Sequence, residues 1–264
     1  MTTTERPRQA IYSQVRQKVL LLLHNPPVRN SSRVTRLVSW PLVVAPQLLG
    51  LEEKTRVSFP WSAPGADEII ARYLRGYVLF GRPGGRLAKF EWQSFDDRAI
   101  ATGENAKIPT RLRGLRRNSG LEVRFDQDLH DVAKACQEGR SDWPWLTDDL
   151  VDLYLKLGEQ GLMSTIGTYR DGQLVGGLLG ISVGRTYSLM SVFHRENHAG
   201  SVALAALVDI VKADDGRWSL IDFGHMTSHF ERFGAVEVSE ERFLALLKEH
   251  GRPGASAEKL EVHA

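Results

Sequence analysis

The segment Leu220 to Ala235, LIDFGHMTSHFERFGA, gathers the side chains best suited to chemistry. Leu220-Ile221-Asp222-Phe223 is a short apolar strand interrupted by one carboxylate, and His225 follows three residues after that carboxylate. An imidazole of ordinary pKa is a competent proton acceptor near neutrality. A carboxylate at a site of proton transfer can polarise the group that acts as base. The structural alternative for Asp222 is a cap at a strand end next to a turn, and both roles stay open. Strand alternation would turn Asp222 and Gly224 to one side and His225 to the other. His225 and His229 are four apart, the spacing that puts two ligands on one helical face. A zinc site needs more ligands than Asp222 alone adds, so no metal is expected and a cap role for histidine is the simpler reading.

A second constellation is basic. Arg111, Arg113, Arg116 and Arg117 follow a Pro109-Thr110 helix start, and the last three recur at three and four residues, on one face. Their repulsion is unfavourable unless phosphates or carboxylates neutralise them. Residues 1–120 carry 20 Lys/Arg against 9 Asp/Glu, a balance of +11, while residues 121–264 carry 14 against 23, a balance of −9. The overall +2 therefore hides a basic half suited to a polyanion and an acidic half that is not. Arg29, Arg33 and Arg36 form another basic group further upstream.

The elements that position these residues follow from pattern. Asp171-Gly172 is a hairpin turn between apolar runs. Gly176, Gly177 and Gly180 dilute the strand after it, so its backbone is expected to be approached closely by something else. Gly184-Arg185 turns the chain again. Ser201 to Lys212 carries a helical stripe at Val202, Leu204, Ala205, Val208 and Val211. A hairpin, a crossover helix and a returning strand make an acyltransferase-type α/β core. Upstream, Ala66 to Leu74 is a helix followed by mixed short strands. Asp128 to Glu138 and Asp148 to Glu159 are helices opened by acidic residues.

The fold class is thus α/β (α+β), with an acetyltransferase-like domain at 121–250 and a smaller mixed α/β domain at 59–120 that bears the basic helix. A basic extension (1–58, with a short helix near Ile11 to Leu23) precedes them, and a polar tail (251–264), expected to be mobile, follows. A chain of 264 residues can bury a core for this arrangement. Its single cysteine, Cys136, excludes a disulfide scaffold and reads as a small apolar residue on a helix. Val19 to Leu23 is too short to span a bilayer, and prolines interrupt Leu37 to Leu49. A cytoplasmic, non-exported monomer without membrane association is expected.

Several blocks, in order, resemble the leucyl/phenylalanyl-tRNA–protein transferases: EIIARYLRGYV, FEWQSFDDRAI (their Trp-Ser-Pro-Asp-Pro-Arg turn), RLRGLRR, WPWLTDDLVDLYLKLGEQGLMSTIGTYRDGQLVGG, then LVGGLLGISVG, LIDFGH and FGA. The resemblance covers roughly Gly65 to Leu247. It implies an acetyltransferase-like fold, aminoacyl-tRNA as co-substrate with no other cofactor, and Arg111, Arg113, Arg116 and Arg117 along the tRNA acceptor arm. It implies an apolar aminoacyl pocket from Trp145, Leu178, Tyr187, Val192 and Ile221. Tyr187 in that pocket suggests a more polar aminoacyl group, since a buried phenol needs a partner.

Two positions depart from the family. Its relay of an Asp and, two residues on, a Gln reads Asp222 and Gly224, and its acceptor-binding Glu reads Met190. The catalytic candidates are then Asp222 and His225, and Met190 joins the substrate-binding set. The expected reaction moves an amino acid from aminoacyl-tRNA to an acceptor amine, a small amine or biosynthetic peptide rather than a protein with a basic first residue. The other classes are a catalytically silent tRNA- or peptide-binding protein and a thioester-dependent N-acyltransferase. The last is disfavoured, because the pyrophosphate loop of such enzymes is missing and Arg195 to Ser201 (RENHAGS) offers one glycine.

Overall fold

A computed structural model describes residues 57–60, 62–84, 88–139, 144–214 and 216–250. The expected helix near Ile11 to Leu23, the Arg29/Arg33/Arg36 group and the 251–264 tail lie outside the described residues.

In chain order the elements are β1 (Val57–Ser58), α1 (Ala66–Tyr73), β2 (Val78–Gly81), β3 (Phe90–Gln93), β4 (Asp97–Thr102), α2 (Thr110–Asn118), β5 (Glu122–Phe125), α3 (Leu129–Glu138), α4 (Asp148–Glu159), β6 (Met163–Arg170), β7 (Gln173–Val183), β8 (Thr186–His194), α5 (Ala199–Ala213), β9 (Leu220–Gly224), α6 (Ser228–Glu231), β10 (Val236–Ser239) and α7 (Glu240–His250). They build a three-stranded sheet, β1-β3-β2, and a seven-stranded sheet, β10-β4-β9-β8-β7-β6-β5. The protein is mixed α/β. β4 lies within the stretch 59–120 but pairs with β9 and β10, so the division at residue 120 does not coincide with a sheet boundary.

The hairpin forms where the sequence places it. Asp171 and Gly172 both have positive φ (50° and 78°), the geometry of a turn whose twist matches the strands. β8 and β9 run parallel, joined by the crossover helix α5. Helices α3 and α4 pack on one face of the large sheet, and α5 covers β6, β7 and β8 on the other. At α4 the Thr147 hydroxyl accepts from Leu150 N–H, whereas at α3 Asp128 makes no cap hydrogen bond and instead accepts from the Tyr169 hydroxyl at 2.6 Å. Cys136 is buried on α3, as expected.

The Gly-rich strand is closely approached, but by the protein's own core. A Cβ on Gly180 would lie inside the Tyr187 ring, one on Gly176 would meet Ala199 Cβ at 2.5 Å, and one on Gly177 the Ile166 carbonyl at 2.9 Å. Tyr187 is fully buried, edge-on to Trp218 with ring centroids 4.7 Å apart, and its hydroxyl donates to the Ser164 carbonyl at 3.3 Å. Its phenol therefore has an internal partner, which removes the reason for inferring a polar aminoacyl group from it.

Because Tyr187 is wedged between Gly180 and Trp218, Gly180→Ala is expected to destabilise the protein by about 1–3 kcal/mol through overpacking. Gly114 sits inside α2 with open space where its Cβ would be, so Gly114→Ala is expected to stabilise by roughly 0.5–1 kcal/mol. Urea unfolding of the two variants, read as shifts of the midpoint in opposite directions, checks both.

Candidate active site

The strands that carry Asp222 and Met190 come apart at the site. Parallel pairing of β8 with β9 runs from Thr186↔Leu220 to Ser188↔Asp222, although β8 continues to His194 and β9 to Gly224. Each strand carries one extra residue at that point. In β8, Leu179 pairs with Ser191 and Gly180 with Leu189, which leaves Met190 as the bulged residue. In β9, Ala99 pairs with Gly224 and Ile100 with Asp222, which leaves Phe223. Bulges bend strands and re-aim side chains. Two of them on neighbouring parallel strands open a fork whose base is the Ser188–Asp222 pair.

Asp222 is the anchor of that fork. It is 2% exposed. One carboxylate oxygen accepts from Gly224 N–H at 2.9 Å and the other from the Ser188 hydroxyl at 3.2 Å. Arg98 Nη1, on β4, lies 3.4 Å from each of them. Arg98 is equally buried, and its Nη2 donates to the Gly76 carbonyl at 2.8 Å. The guanidinium lies over the rings of Phe95 and Phe243, 5.2 and 4.7 Å from their centroids. Among the described ion pairs none is more buried; the next, Arg82–Glu91, has both side chains 10% exposed. A carboxylate with this many donors is an acceptor held in place rather than an idle base.

On the other side of the fork, the Tyr73 hydroxyl donates to Met190 Sδ at 3.3 Å. Burial raises the Tyr73 phenol well above its ordinary range, so it stays a protonated donor; Tyr154, beside it, is raised in the same way.

Gly224 ends the strand. Its φ of +75° is left-handed, and a Cβ there would meet nothing within 4 Å. Simple alternation therefore stops at this residue, and His225 emerges on the surface with its ring edge-on to Phe95, centroids 4.4 Å apart. It lines an open depression of about 360 Å³ with Ser94, Phe95, Asp96, Asp97, Met226 and Glu237. His229 lies on α6 and His225 before it, so the two do not share a helical face. His229 accepts at Nδ1 from Arg232 at 3.0 Å. Burial, Arg232 and His194 lower its pKa, which favours the neutral ring.

The six expected substrate-binding residues, five for the aminoacyl pocket and Met190 for the acceptor, fall on two faces of the sheet. Trp145 and Met190 pack with the α3/α4 core, whereas Leu178, Tyr187, Val192 and Ile221 pack with the α5 core. Trp145, Leu178, Tyr187 and Ile221 are at most 3% exposed; Val192 and Met190 are only partly buried. The structure thus brings Met190 to the fork and places Leu178 and Tyr187 in ordinary core. Of the basic helix, Arg111, Arg113 and Arg117 are exposed, whereas Arg116 forms an ion pair with Asp209 of α5. Arg98, Ser188 and Tyr73 complete the site and were not among the expected residues. The Asp-Asp-Arg of FEWQSFDDRAI, matching a family turn that ends in arginine, is the signal from which Arg98 could have been found.

Known proteins bear on this geometry. The family model described as leucyl/phenylalanyl-tRNA protein transferase matches residues 100–248. The chain is 36% identical over 162 residues to a leucyl/phenylalanyl-tRNA–protein transferase of Syntrophobacter fumaroxidans, covering 60% of this chain and 68% of the relative. It is 31% identical over 182 residues to that of Prosthecochloris aestuarii, covering 68% and 92%. Similar solved structures include L-PGS from Bacillus licheniformis (12% identity, TM-score 0.44, covering 81% of this chain and 79% of that one). A ribosomal-protein-alanine N-acetyltransferase from Brucella melitensis is another (14%, TM-score 0.32, covering 42% and 84%). Scores at that level assign no function, but the sequence matches do assign a family. Matched over more than half its length, the chain belongs to the leucyl/phenylalanyl-tRNA protein transferases.

Proposed function

We propose that the β8/β9 fork is where an aminoacyl-tRNA ester meets an acceptor amine, with Asp222 as the fixed anchor of the site. As a member of its family the chain is an aminoacyl-tRNA-dependent aminoacyltransferase. The observation that carries the reading is the end of parallel pairing at Ser188↔Asp222, beside a carboxylate whose two oxygens are already engaged. In the reaction the amine nitrogen attacks the ester carbonyl, the new C–N bond forms and the C–O bond to the ribose breaks. One proton leaves the amine and the ribose oxygen takes one up. An ester of this kind is already activated, so holding the two reactants together supplies much of the acceleration. Asp222 gives up no acceptor site easily, so the proton passes to His225 at the rim, directly or through water.

The acceptor we propose is a small amine or biosynthetic peptide. At the position of the family's acceptor-binding Glu stands Met190, capped by the Tyr73 hydroxyl, and a thioether offers no counter-charge to a basic first residue. Arg111, Arg113 and Arg117, exposed on α2, are the phosphate contacts for the tRNA, while Arg116 serves the α2–α5 packing through Asp209. Gly224 favours a second reading, a silent tRNA-binding protein, because no side chain there can relay a proton.

Two measurements test this. Replacing Arg111, Arg113 and Arg117 together by Ala is expected to weaken tRNA binding and lower the slope of log affinity against log salt by about 0.7–0.9 for each phosphate left without its arginine. Arg116→Ala should leave that slope near the wild-type value. An unchanged slope in the triple variant removes the tRNA from this face.

Transfer of radiolabelled amino acid from a total aminoacyl-tRNA pool to amine and peptide acceptors separates the chemical roles. Asp222→Asn leaves Arg98 without its partner and is expected to destabilise the protein by about 3–5 kcal/mol. It should be assayed well below its melting temperature, where transfer is expected to fall further than the loss of folded protein explains. His225→Ala is expected to lower transfer by about 10²–10⁴, with partial recovery on adding free imidazole. Full activity without His225 makes the route substrate-assisted. No transfer by the wild type to any acceptor leaves the silent binding protein as the better account.

A further inference from the structure

Arg98 does more than neutralise Asp222. It also grips the smaller sheet unit, through the carbonyl of Gly76 in the turn between α1 and β2. That turn has little freedom. Gly76 has φ +80°, and a Cβ there would already lie 3.2 Å from Leu244. Three residues earlier stands Tyr73, whose hydroxyl rests on the bulged Met190. The guanidinium is further fixed between Phe95 and Phe243, yet its Nε–H is buried without a partner.

Buried ion pairs of this kind contribute little net stability, and apolar replacements are often neutral or better. A buried guanidinium with an unsatisfied Nε–H is a poor choice for stability alone. What the arrangement does secure is geometry. One of its donors meets the Asp222 carboxylate on β9 and another the Gly76 carbonyl, so one rigid planar group ties two separate segments together.

Resting on the proposed transfer reaction, we infer that Arg98 is a positioning residue. It holds the Gly76 turn, and with it the Tyr73 hydroxyl on Met190, in register with the Asp222 fork, so that the acceptor side and the anchored carboxylate face one another across the opening.

A double-mutant cycle on kcat tests this in the full-length chain, with aminoacyl-tRNA and the best acceptor from the pool assay. Arg98→Lys keeps a charge for Asp222 but cannot span both partners. It is expected to lower kcat about tenfold, with KM for aminoacyl-tRNA within twofold. Tyr73→Phe keeps the ring and should lower kcat by a similar factor. If Arg98 acts through the turn, the double variant loses no more than the larger single loss. Additive losses, near a hundredfold, overturn the inference, as does wild-type kcat in either single variant. Gly76→Ala moves the turn while leaving Arg98 and Asp222 in place, and the same selective fall in kcat is expected. If Arg98→Lys does not fold, Gly76→Ala decides: unchanged kcat in a folded Gly76→Ala protein overturns the inference. Absence of transfer by the wild type overturns the underlying reading and this inference with it, whereas an active wild type with additive variants overturns the inference alone.

Discussion

A cation and an anion meet inside this protein, and much of the architecture is arranged to permit it. Removing Arg98 and Asp222 from water is costly unless nearly every donor and acceptor finds a partner. The partners come from four places: the Gly76 turn, Ser188 on β8, the backbone of Gly224, and the aromatic rings of Phe95 and Phe243. These lie on the small sheet unit, both strands of the fork and the C-terminal helix. The pair is therefore the place where the separate parts of the fold are held to one geometry.

The glycines of β7 admit close neighbours on both faces of the large sheet. Gly176 and Gly180 leave room for Ala199 of α5 and Tyr187 of β8, while Gly177 leaves room for Phe193 on the α3/α4 side. β8 is thus closely packed on both sides of the sheet, and the extra residue at Met190 lies in a tightly held strand. Its pairing with β9 ends at Ser188 and Asp222, two residues before that bulge.

What could be read from the chain and what could not divides by range. The Asp171-Gly172 hairpin, the crossover helix and the returning strand were legible because turn chemistry and apolar period are local signals. Close approach to Gly176, Gly177 and Gly180 was legible too, but the approaching group was not, since Tyr187 and Ala199 arrive only after the strands pair. Asp222 stood out as a carboxylate in an apolar strand. Its partner Arg98 is 124 residues away and looked like one more member of a basic half. The bulges at Met190 and Phe223 have no sequence signature, because a bulge belongs to a pairing and not to a strand. For the same reason the six substrate-binding candidates, all apolar or aromatic, gave no hint that they belong to two different faces of the sheet.

Gly224 sets a condition on any side chain that would be placed at the end of β9. A Cβ there would meet nothing within 4 Å, so crowding at that atom is not the obstacle. The obstacle is the left-handed backbone, which costs an L-residue roughly 1–2 kcal/mol. A proton-relaying side chain introduced at this position by substitution alone would therefore be held in a conformation it disfavours, and the tether for such a group is the chain path and not the space.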